Sequence, residues 1–226
     1  MMSFLDQLLP NVTPIWDIVW QSLWETLYMT LATGLIAGLL GIMLGIVLLV
    51  TDENGLLANP VLYNILDKVV NIFRSLPFII LVALIYPFTR LVVGTAIGTT
   101  ASLVPLVIST VPFFARQIQN ALLEVDPGIV EAAQAMGTSN LDIIFRVYLK
   151  EGLASIIRVS AVTIINLIGL TAMAGAIGGG GLGNLAISRG YNRYQSDVIF
   201  VATVLILIIV FISQAIGNYL VKKVSH

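Results

Sequence analysis

The segment Val130–Gly152, VEAAQAMGTSNLDIIFRVYLKEG, is a polar, helix-forming stretch that lies between two long apolar parts of the chain. Asp126, a favourable N-cap that is followed by a proline, predicts a short helix through the alanines of this segment. Gly137 is expected to end that helix. Ser139, with Asp142 three residues later, approximates a capping box and predicts a second helix. The pattern therefore predicts two short helices joined at a glycine, between the two apolar parts of the chain.

The second helix of this segment has its own periodicity. Ile144, Val147 and Tyr148 recur at helical spacing, which favours a helix with one apolar face. An ordinary polar loop between two spans is the alternative interpretation, and spacing alone leaves both open.

The composition of the whole chain indicates an integral membrane protein. Of its 226 residues, 58% are hydrophobic and only 10% are charged, so a water-soluble fold would expose too much apolar surface. The net charge of −1 provides no basic surface for nucleic acid, and the chain has no cysteine for disulfides, thiolate metal sites or nucleophilic catalysis. The single histidine, His226, is the last residue, which argues against histidine-based catalysis or metal binding.

Runs without charge predict five transmembrane helices, since about 20 apolar residues cross the hydrocarbon core. The second span is the least regular, because Asp67 and Arg74 lie in its first half and Pro77 is expected to kink it. Glycines at intervals of three or four residues along the first span favour close helix packing. The predicted spans are residues 26–51, 62–89, 91–115, 159–177 and 198–221.

The string Gly178–Gly183, GGGGLG, formally matches a dinucleotide-binding fingerprint. That fingerprint requires a preceding strand and a βαβ unit, whereas this string follows a predicted membrane helix. We interpret it instead as a flexible outer turn at which the fourth span ends.

The distribution of basic residues predicts the orientation of the chain. Five spans place the two termini on opposite sides of the membrane. With the N-terminus outside, eight of the 11 Lys and Arg residues face inward and three face outward, as the positive-inside rule requires. The segment 130–152 is then cytoplasmic. The inner residues are Lys68, Arg74, Arg116, Arg146, Lys150, Arg158, Lys222 and Lys223, and the outer residues are Arg90, Arg189 and Arg193.

The sequence Glu131-Ala132-Ala133, followed by Gly137 and then by Val147 and Leu149, resembles the EAA loop of bacterial ABC importer permeases. In that family the loop docks into a groove of a cytoplasmic ATPase, so the resemblance implies that these six residues form an ATPase-coupling site. The family pattern usually has isoleucine and proline where this chain has Val147 and Lys150. A lysine does not end a helix as a proline does, which leaves the exit of the second helix open.

Three further segments are similar to the methionine-import permeases in particular: Asn71–Phe78, Gly169–Ile187 and Arg189-Gly190-Tyr191. The resemblance implies an all-α, type I ABC importer permease fold with five transmembrane helices, the N-terminus outside and the C-terminus inside. The permease domain is expected over residues 22–220, with the coupling segment at about 119–157. Residues 1–21 are expected to form an extracytoplasmic or interfacial tail, and residues 221–226 a cytoplasmic tail.

The resemblance also implies a function, which is import of methionine, in both its D and L forms, across the bacterial plasma membrane. The implied partners are a second copy of the chain, two ABC ATPase subunits, an extracytoplasmic methionine-binding lipoprotein and the lipid bilayer. The chain would not itself be an enzyme and would hold no cofactor, since ATP and Mg²⁺ would bind to the partner ATPase. Two features of the residues agree with this. The four predicted spans other than the second lack the charged residues of a proton or sodium relay, and the chain has no G-x-x-x-x-G-K-[ST] phosphate loop.

One face of the fourth span is a candidate substrate path. Ser160, Thr163, Asn166, Gly169 and Met173 fall roughly on that face, and methionine is soft and adaptable enough to contact a thioether. Polar residues of membrane helices also commonly form hydrogen bonds between helices, and this interpretation stays open. The fifth span offers a weaker set, Ser213, Gln214 and Asn218.

Two other functions remain possible at this point. A permease of the same architecture could carry another amino acid or small solute, and only uptake competition separates the two cargoes. A channel or membrane-embedded enzyme would need conductance without ATP or a catalytic constellation. No Ser-His-Asp, dicarboxylate or metal-ligand set occurs within the predicted spans, which makes this the least favoured reading.

Overall fold

The computed structural model describes residues 8–224, which form helices joined by short connections and contain no strand. A turn of 3₁₀ helix, Thr13–Ile15, precedes the first long helix. The helices in chain order are α1 (Trp16–Thr51), α2 (Pro60–Ser75), α3 (Phe78–Leu84), α4 (Tyr86–Val93), α5 (Thr99–Leu123), α6 (Pro127–Ala135), α7 (140–151), α8 (Leu153–Ala174), α9 (Gly181–Asn184) and α10 (Ser196–Val224). Two π-helical segments occur in this part of the chain, Ile143–Tyr148 within α7 and Leu185–Tyr191 after α9, while Gly175–Gly179 after α8 contains two residues outside helical geometry.

Four helical segments of the described chain are long and apolar enough to cross a membrane. They correspond to the first, third, fourth and fifth predicted spans. The first begins earlier than predicted, since α1 already includes Trp16, Trp20 and Trp24, whose side chains are exposed. The four segments are Thr13–Thr51, Thr99–Leu123, Leu153–Gly179 and Ser196–Val224.

The predicted second span is not one kinked helix. It is broken into α2, α3 and α4, which have 16, 7 and 8 residues. Leu76, the residue before Pro77, is extended (φ −78°, ψ 125°), because the proline ring disfavours helical geometry in the preceding residue. A second break occurs at Ile85 (φ −93°, ψ 8°), just before Pro87, which has no N–H to continue the ladder.

The third span is also displaced along the chain from its prediction. Residues 91–98 were expected to open it, but α4 ends at Val93 and Gly94 is left-handed (φ 84°), so α5 begins only at Thr99. At its other end α5 continues past Arg116 to Leu123. The charge of Arg116 does not end the helix, because its guanidinium forms an ion pair with the Asp67 carboxylate of α2.

Contacts divide the chain into two compact units, the first of which comprises residues 8–35, 77–107 and 164–213 of the described chain. Its larger core contains Val12, Val19, Ile168, Leu182, Leu185, Val198, Val201, Ala202 and Ile209. A smaller core contains Met29, Phe78, Leu106, Leu167 and Ala174. The Asp197 carboxylate at the start of α10 accepts hydrogen bonds from the backbone N–H and the side-chain amide of Asn11, at 2.8 and 3.0 Å.

The second unit comprises residues 36–76, 108–163 and 214–224 of the described chain. Its main core contains Leu49, Phe114, Ile118, Leu122 and Ile156. The predicted close approach at the glycines of α1 is confirmed at Gly45, where an added Cβ would lie 2.7 Å from both the Ala115 carbonyl oxygen and the Ile118 Cβ. This unit also contains the predicted coupling segment.

Candidate coupling site

The first helix of the coupling segment begins and ends as its sequence predicts. The Asp126 side chain caps α6 by accepting a hydrogen bond from the Gly128 N–H at 2.8 Å. Gly137 is left-handed (φ 77°) and its N–H donates to the Gln134 carbonyl at 2.9 Å, while the Thr138 N–H donates to the Ala133 carbonyl at 3.1 Å. These two bonds form a Schellman motif, which ends α6 and turns the chain into α7.

The second helix of the coupling segment also begins at its predicted cap. The Ser139 hydroxyl accepts a hydrogen bond from the Asp142 N–H at 3.2 Å and donates to the Asp142 carboxylate at 2.7 Å. The same carboxylate pairs with the exposed Arg146 at 3.1 Å. The sequence left open where the second helix ends. In the structure α7 runs through Lys150 to Glu151, and Gly152 separates it from α8.

The inner face of these two helices is a hydrophobic cluster, which we call the coupling core. Val130, Ala133 and Ile143 are buried there together with Val125. The partly buried residues Leu56, Val147 and Tyr148 pack against them. Burial raises the pKa of the Tyr148 phenol above its ordinary value. The coupling core holds α6 and α7 on the rest of the second unit.

The six residues of the EAA-like pattern therefore divide into two groups. Ala133 and Val147 belong to the coupling core, and Leu149 packs on the main core of the second unit. The other three residues, Glu131, Ala132 and Gly137, are exposed. We call the exposed side of α6 and α7, opposite the coupling core, the outer face. The second group is thus exposed, whereas Ala133 is buried and Val147 and Leu149 are partly buried.

The outer face carries an apolar surface that was not predicted from the sequence. Met136 and Leu141 are 79% and 67% exposed, and Phe145 and Ile129 are also exposed. We call these four side chains the apolar outer surface. A signal existed, since Leu141 and Phe145 are four residues apart on α7 and fall outside the set Ile144, Val147 and Tyr148 that marks its inner face. Large apolar side chains exposed beside polar ones are typical of an interaction site.

The candidate path residues of α8 also divide into two groups. The Ser160 hydroxyl donates to the Ile156 carbonyl of its own helix at 2.7 Å, and the buried Thr163 hydroxyl donates to the Val159 carbonyl at 2.8 Å. Asn166, Gly169 and Met173 are exposed and lie along one side of α8. In α10 the Ser213 hydroxyl likewise bonds within its own helix, to Ile209, while Gln214 and Asn218 are exposed.

No group of His, Cys, Asp and Glu side chains within residues 8–224 is placed to hold a metal ion. The exposed part of the candidate coupling site is formed by the surfaces of α6 and α7. Its exposed helices, charged cap and apolar outer surface are suited to binding another protein.

The chain matches the family described as binding-protein-dependent transport system inner membrane component, over residues 37–226. It therefore belongs to this family of membrane transport subunits, and its four long apolar helices make it a multi-pass membrane protein.

Two curated relatives carry more specific names. The probable D-methionine transport system permease protein MetI of Pasteurella multocida is 48% identical over 78% of this chain and 82% of its own length. The methionine import system permease protein MetP of Bacillus subtilis is 50% identical over 79% of this chain and 80% of its own length. Among solved structures, an inward-facing conformation of the MetNI methionine ABC transporter aligns over 100% of both chains, with a TM-score of 0.89 and 39% identity.

Proposed function

We propose that this chain is the membrane-spanning permease subunit of an ATP-driven methionine importer in the bacterial plasma membrane. The observation that carries the proposal is the similarity to methionine permeases over about four-fifths of the chain, at close to half of the aligned positions. The exposed coupling site supports it, because a subunit without a phosphate-binding loop has to receive the energy of ATP from another protein.

The proposed topology has five crossings, with the N-terminus outside and the C-terminus inside. Residues 60–93 would form the second crossing as a broken helix, made of α2, α3 and α4. Breaks of this kind are tolerated in membrane proteins where neighbouring helices or water satisfy the freed backbone groups. The distribution of Lys and Arg supports this orientation, which makes α6 and α7 cytoplasmic. The permease domain would then cover residues 22–220, between an outer tail (1–21) and an inner tail (221–226).

The proposed assembly contains two copies of this chain, two ABC ATPase subunits and an extracytoplasmic methionine-binding lipoprotein. In each copy, Glu131, Ala132, Gly137 and the apolar outer surface would contact the ATPase. ATP and Mg²⁺ would bind to the ATPase, and this chain would have no catalytic role. The state of the ATPase would then select between two states of the membrane dimer through this contact.

The conformation described here is proposed to be the inward-facing one. The support is the alignment with the inward-facing transporter over the whole chain. ATP binding would convert it to an outward-facing state, and hydrolysis would return it.

The proposed cargo is methionine, in its D and L forms. The exposed side of α8 with Asn166, Gly169 and Met173 is the candidate path, because it combines one amide with apolar and soft surface. Ser160 and Thr163 would line the same helix further along, although their hydroxyls bond to their own helix. Another small solute carried by the same architecture is the alternative that uptake competition must exclude.

The test is uptake of labelled methionine by cells with and without this chain, both containing the partner ATPase and binding protein. We expect uptake only with the chain, and competition by unlabelled D- and L-methionine but not by unrelated amino acids. If another unlabelled amino acid abolishes the uptake of labelled methionine, that amino acid would replace methionine as the proposed cargo. Uptake that is equal in both strains, while the chain still binds an ATPase, would remove methionine as the cargo.

A further inference from the structure

The connection between α8 and α9 is an elbow of glycines in the first unit. After Ala174 the chain leaves α-helical geometry, and Ile177 and Gly178 are not helical. Gly178, Gly180 and Gly181 all have positive φ, at 95°, 80° and 73°. We call residues 175–181 the glycine elbow. The run of glycines predicts a flexible turn here, but Gly175, Gly179 and Gly181 are buried.

Two consecutive residues of α1 hold this elbow by its backbone. The Glu25 carboxylate accepts a hydrogen bond from the Gly181 N–H at 2.6 Å. The Thr26 hydroxyl accepts a hydrogen bond from the Leu182 N–H at 2.9 Å and donates to the Ser22 carbonyl at 3.0 Å. The first turn of a helix has N–H groups without partners in the helix, and here side chains 156 residues earlier satisfy two of them.

A side chain at Gly180 or Gly181 would displace the contacts that Glu25 and Thr26 make with the elbow. A Cβ added at Gly180 would lie 2.7 Å from the Glu25 Oε2, and one added at Gly181 would lie 2.7 Å from the Thr26 Oγ1. The glycines are therefore needed both for their positive φ and for close approach.

Glu25 is an unusual residue for this place. It immediately precedes a run of uncharged residues, 26–51, and the residue as a whole is partly buried. Its second oxygen, Oε1, accepts a hydrogen bond from the Gln21 side chain at 2.8 Å. A carboxylate that accepts a hydrogen bond from a backbone N–H forms a strong contact, yet water can replace the N–H when the contact opens.

We propose that Glu25 is a positioning residue that latches the glycine elbow in the inward-facing state and releases it in the outward-facing state. The elbow continues directly from α8, whose exposed side carries Asn166, Gly169 and Met173, so the latch fixes the end of the helix that is the candidate path. This inference rests on the proposed function.

The latch predicts a specific effect on coupling. A contact made in only one of two states stabilises that state, so its removal shifts the population toward the other state. Removal of Glu25 therefore favours the outward-facing state, which is the state of the closed ATPases. ATP hydrolysis without binding protein rises, and the number of ATP molecules used per methionine increases.

The experiment uses the complete transporter in proteoliposomes, with Glu25→Ala, Glu25→Gln and, as a matched control, Trp24→Phe. Trp24 is the adjacent residue, is 68% exposed and takes no part in the two hydrogen bonds that hold the elbow. We expect Glu25→Ala to raise ATP hydrolysis without binding protein by about tenfold, the usual order for a hydrogen bond to a charged group. Glu25→Gln is expected to show a smaller rise, because its amide oxygen still accepts from the Gly181 N–H.

Methionine uptake and thermal unfolding of the same complexes separate the outcomes. Wild-type hydrolysis rates in both Glu25 variants would overturn the latch. So would equal losses of uptake and hydrolysis that follow a fall in unfolding temperature, since that result assigns Glu25 a purely structural role. If the wild-type transporter takes up no methionine but Glu25→Ala still raises hydrolysis, the cargo proposal fails and the latch stands.

Discussion

Two neighbouring alanines of the coupling site have opposite environments. Ala133 is 5% exposed and packs in the coupling core, whereas Ala132 is exposed on the outer face. We expect Ala133→Leu to destabilise the chain by about 1–3 kcal/mol, because the added atoms overfill a packed site. Ala132→Leu should leave stability unchanged and alter the affinity for the ATPase. Thermal unfolding of the purified permease measures the first effect, and binding to the isolated ATPase measures the second.

Ala132→Leu is therefore the matched control for Ala133→Leu, with the same substitution one position earlier. Equal unfolding temperatures for the two variants would contradict the assignment of Ala133 to the core. A fall in ATPase affinity for Ala133→Leu alone, at unchanged stability, would place Ala133 in the contact instead.

At the residue level, the sequence predicted what depends on near neighbours along the chain. The caps at Asp126 and Ser139 and the stop at Gly137 are confirmed, since each involves bonds within a few residues. The inward direction of Ala133 was not predictable in this way. Ala133 is buried in a cluster on which Leu56 also packs, from a distant part of the chain.

At the level of elements, α6 and α7 act as one piece because Gly137 sets the angle between them. Proline at position 137 cannot adopt the φ of 77°, since its ring fixes φ near −65°, and it loses the N–H that donates to Gln134. We expect Gly137→Pro to leave the protein inserted and dimeric while methionine uptake falls several-fold relative to ATP hydrolysis. Glu131→Arg, which reverses an exposed charge of the same site, should have the same effect. Uptake and hydrolysis are measured on the same reconstituted transporter.

Gly137→Asn is the control for Gly137→Pro, because asparagine tolerates the left-handed conformation and keeps the N–H. It should transport nearly as well as the wild type. Normal ATP-driven uptake by both Gly137→Pro and Glu131→Arg would remove the docking assignment.

The spans illustrate why elements were predicted less accurately than caps. Absence of charge located four of the helices, because apolar length is a property of the local sequence. The same criterion misplaced the end of α5, since Arg116 lies within this helix and pairs with Asp67 of α2, 49 residues away. It also joined α2, α3 and α4, because one proline can kink a helix or end it, and the outcome depends on the packing of Phe78 and Leu81 beyond the break.

At the scale of the whole molecule, the family was predicted from the EAA-like motif and three further similar segments, but the two kinds of candidate site differ in how much of their geometry is local. The caps and helices of the coupling site lie in one continuous segment, from Asp126 to Glu151, so most of their geometry was predictable, although Leu56 packs on them from elsewhere in the chain. The latch between Glu25 and Gly181 joins residues 156 apart, and only the folded structure brings them together. The glycine string by itself indicated a turn and not what holds it.

The proposed crossing of residues 60–93 can be tested on the whole molecule, because the chain has no cysteine of its own. Single cysteines at Asn54, Thr95, Met136 and Asn192 all lie at exposed positions in or beside the connections between helices. In intact cells, a membrane-impermeant maleimide should label positions 95 and 192, while positions 54 and 136 should react only after permeabilisation. Each variant must first retain methionine uptake in the complete transporter, and labelling is then done in cells that lack the partner ATPase, so that position 136 in the proposed contact is open to the reagent. Positions 54 and 95 test whether residues 60–93 cross the membrane, since they flank α2, α3 and α4. Labelling of both from the same side would mean that this broken helix does not cross. Labelling of 54 and 136 alone in intact cells would instead keep five crossings and invert the orientation, which would place the coupling site out of reach of a cytoplasmic ATPase.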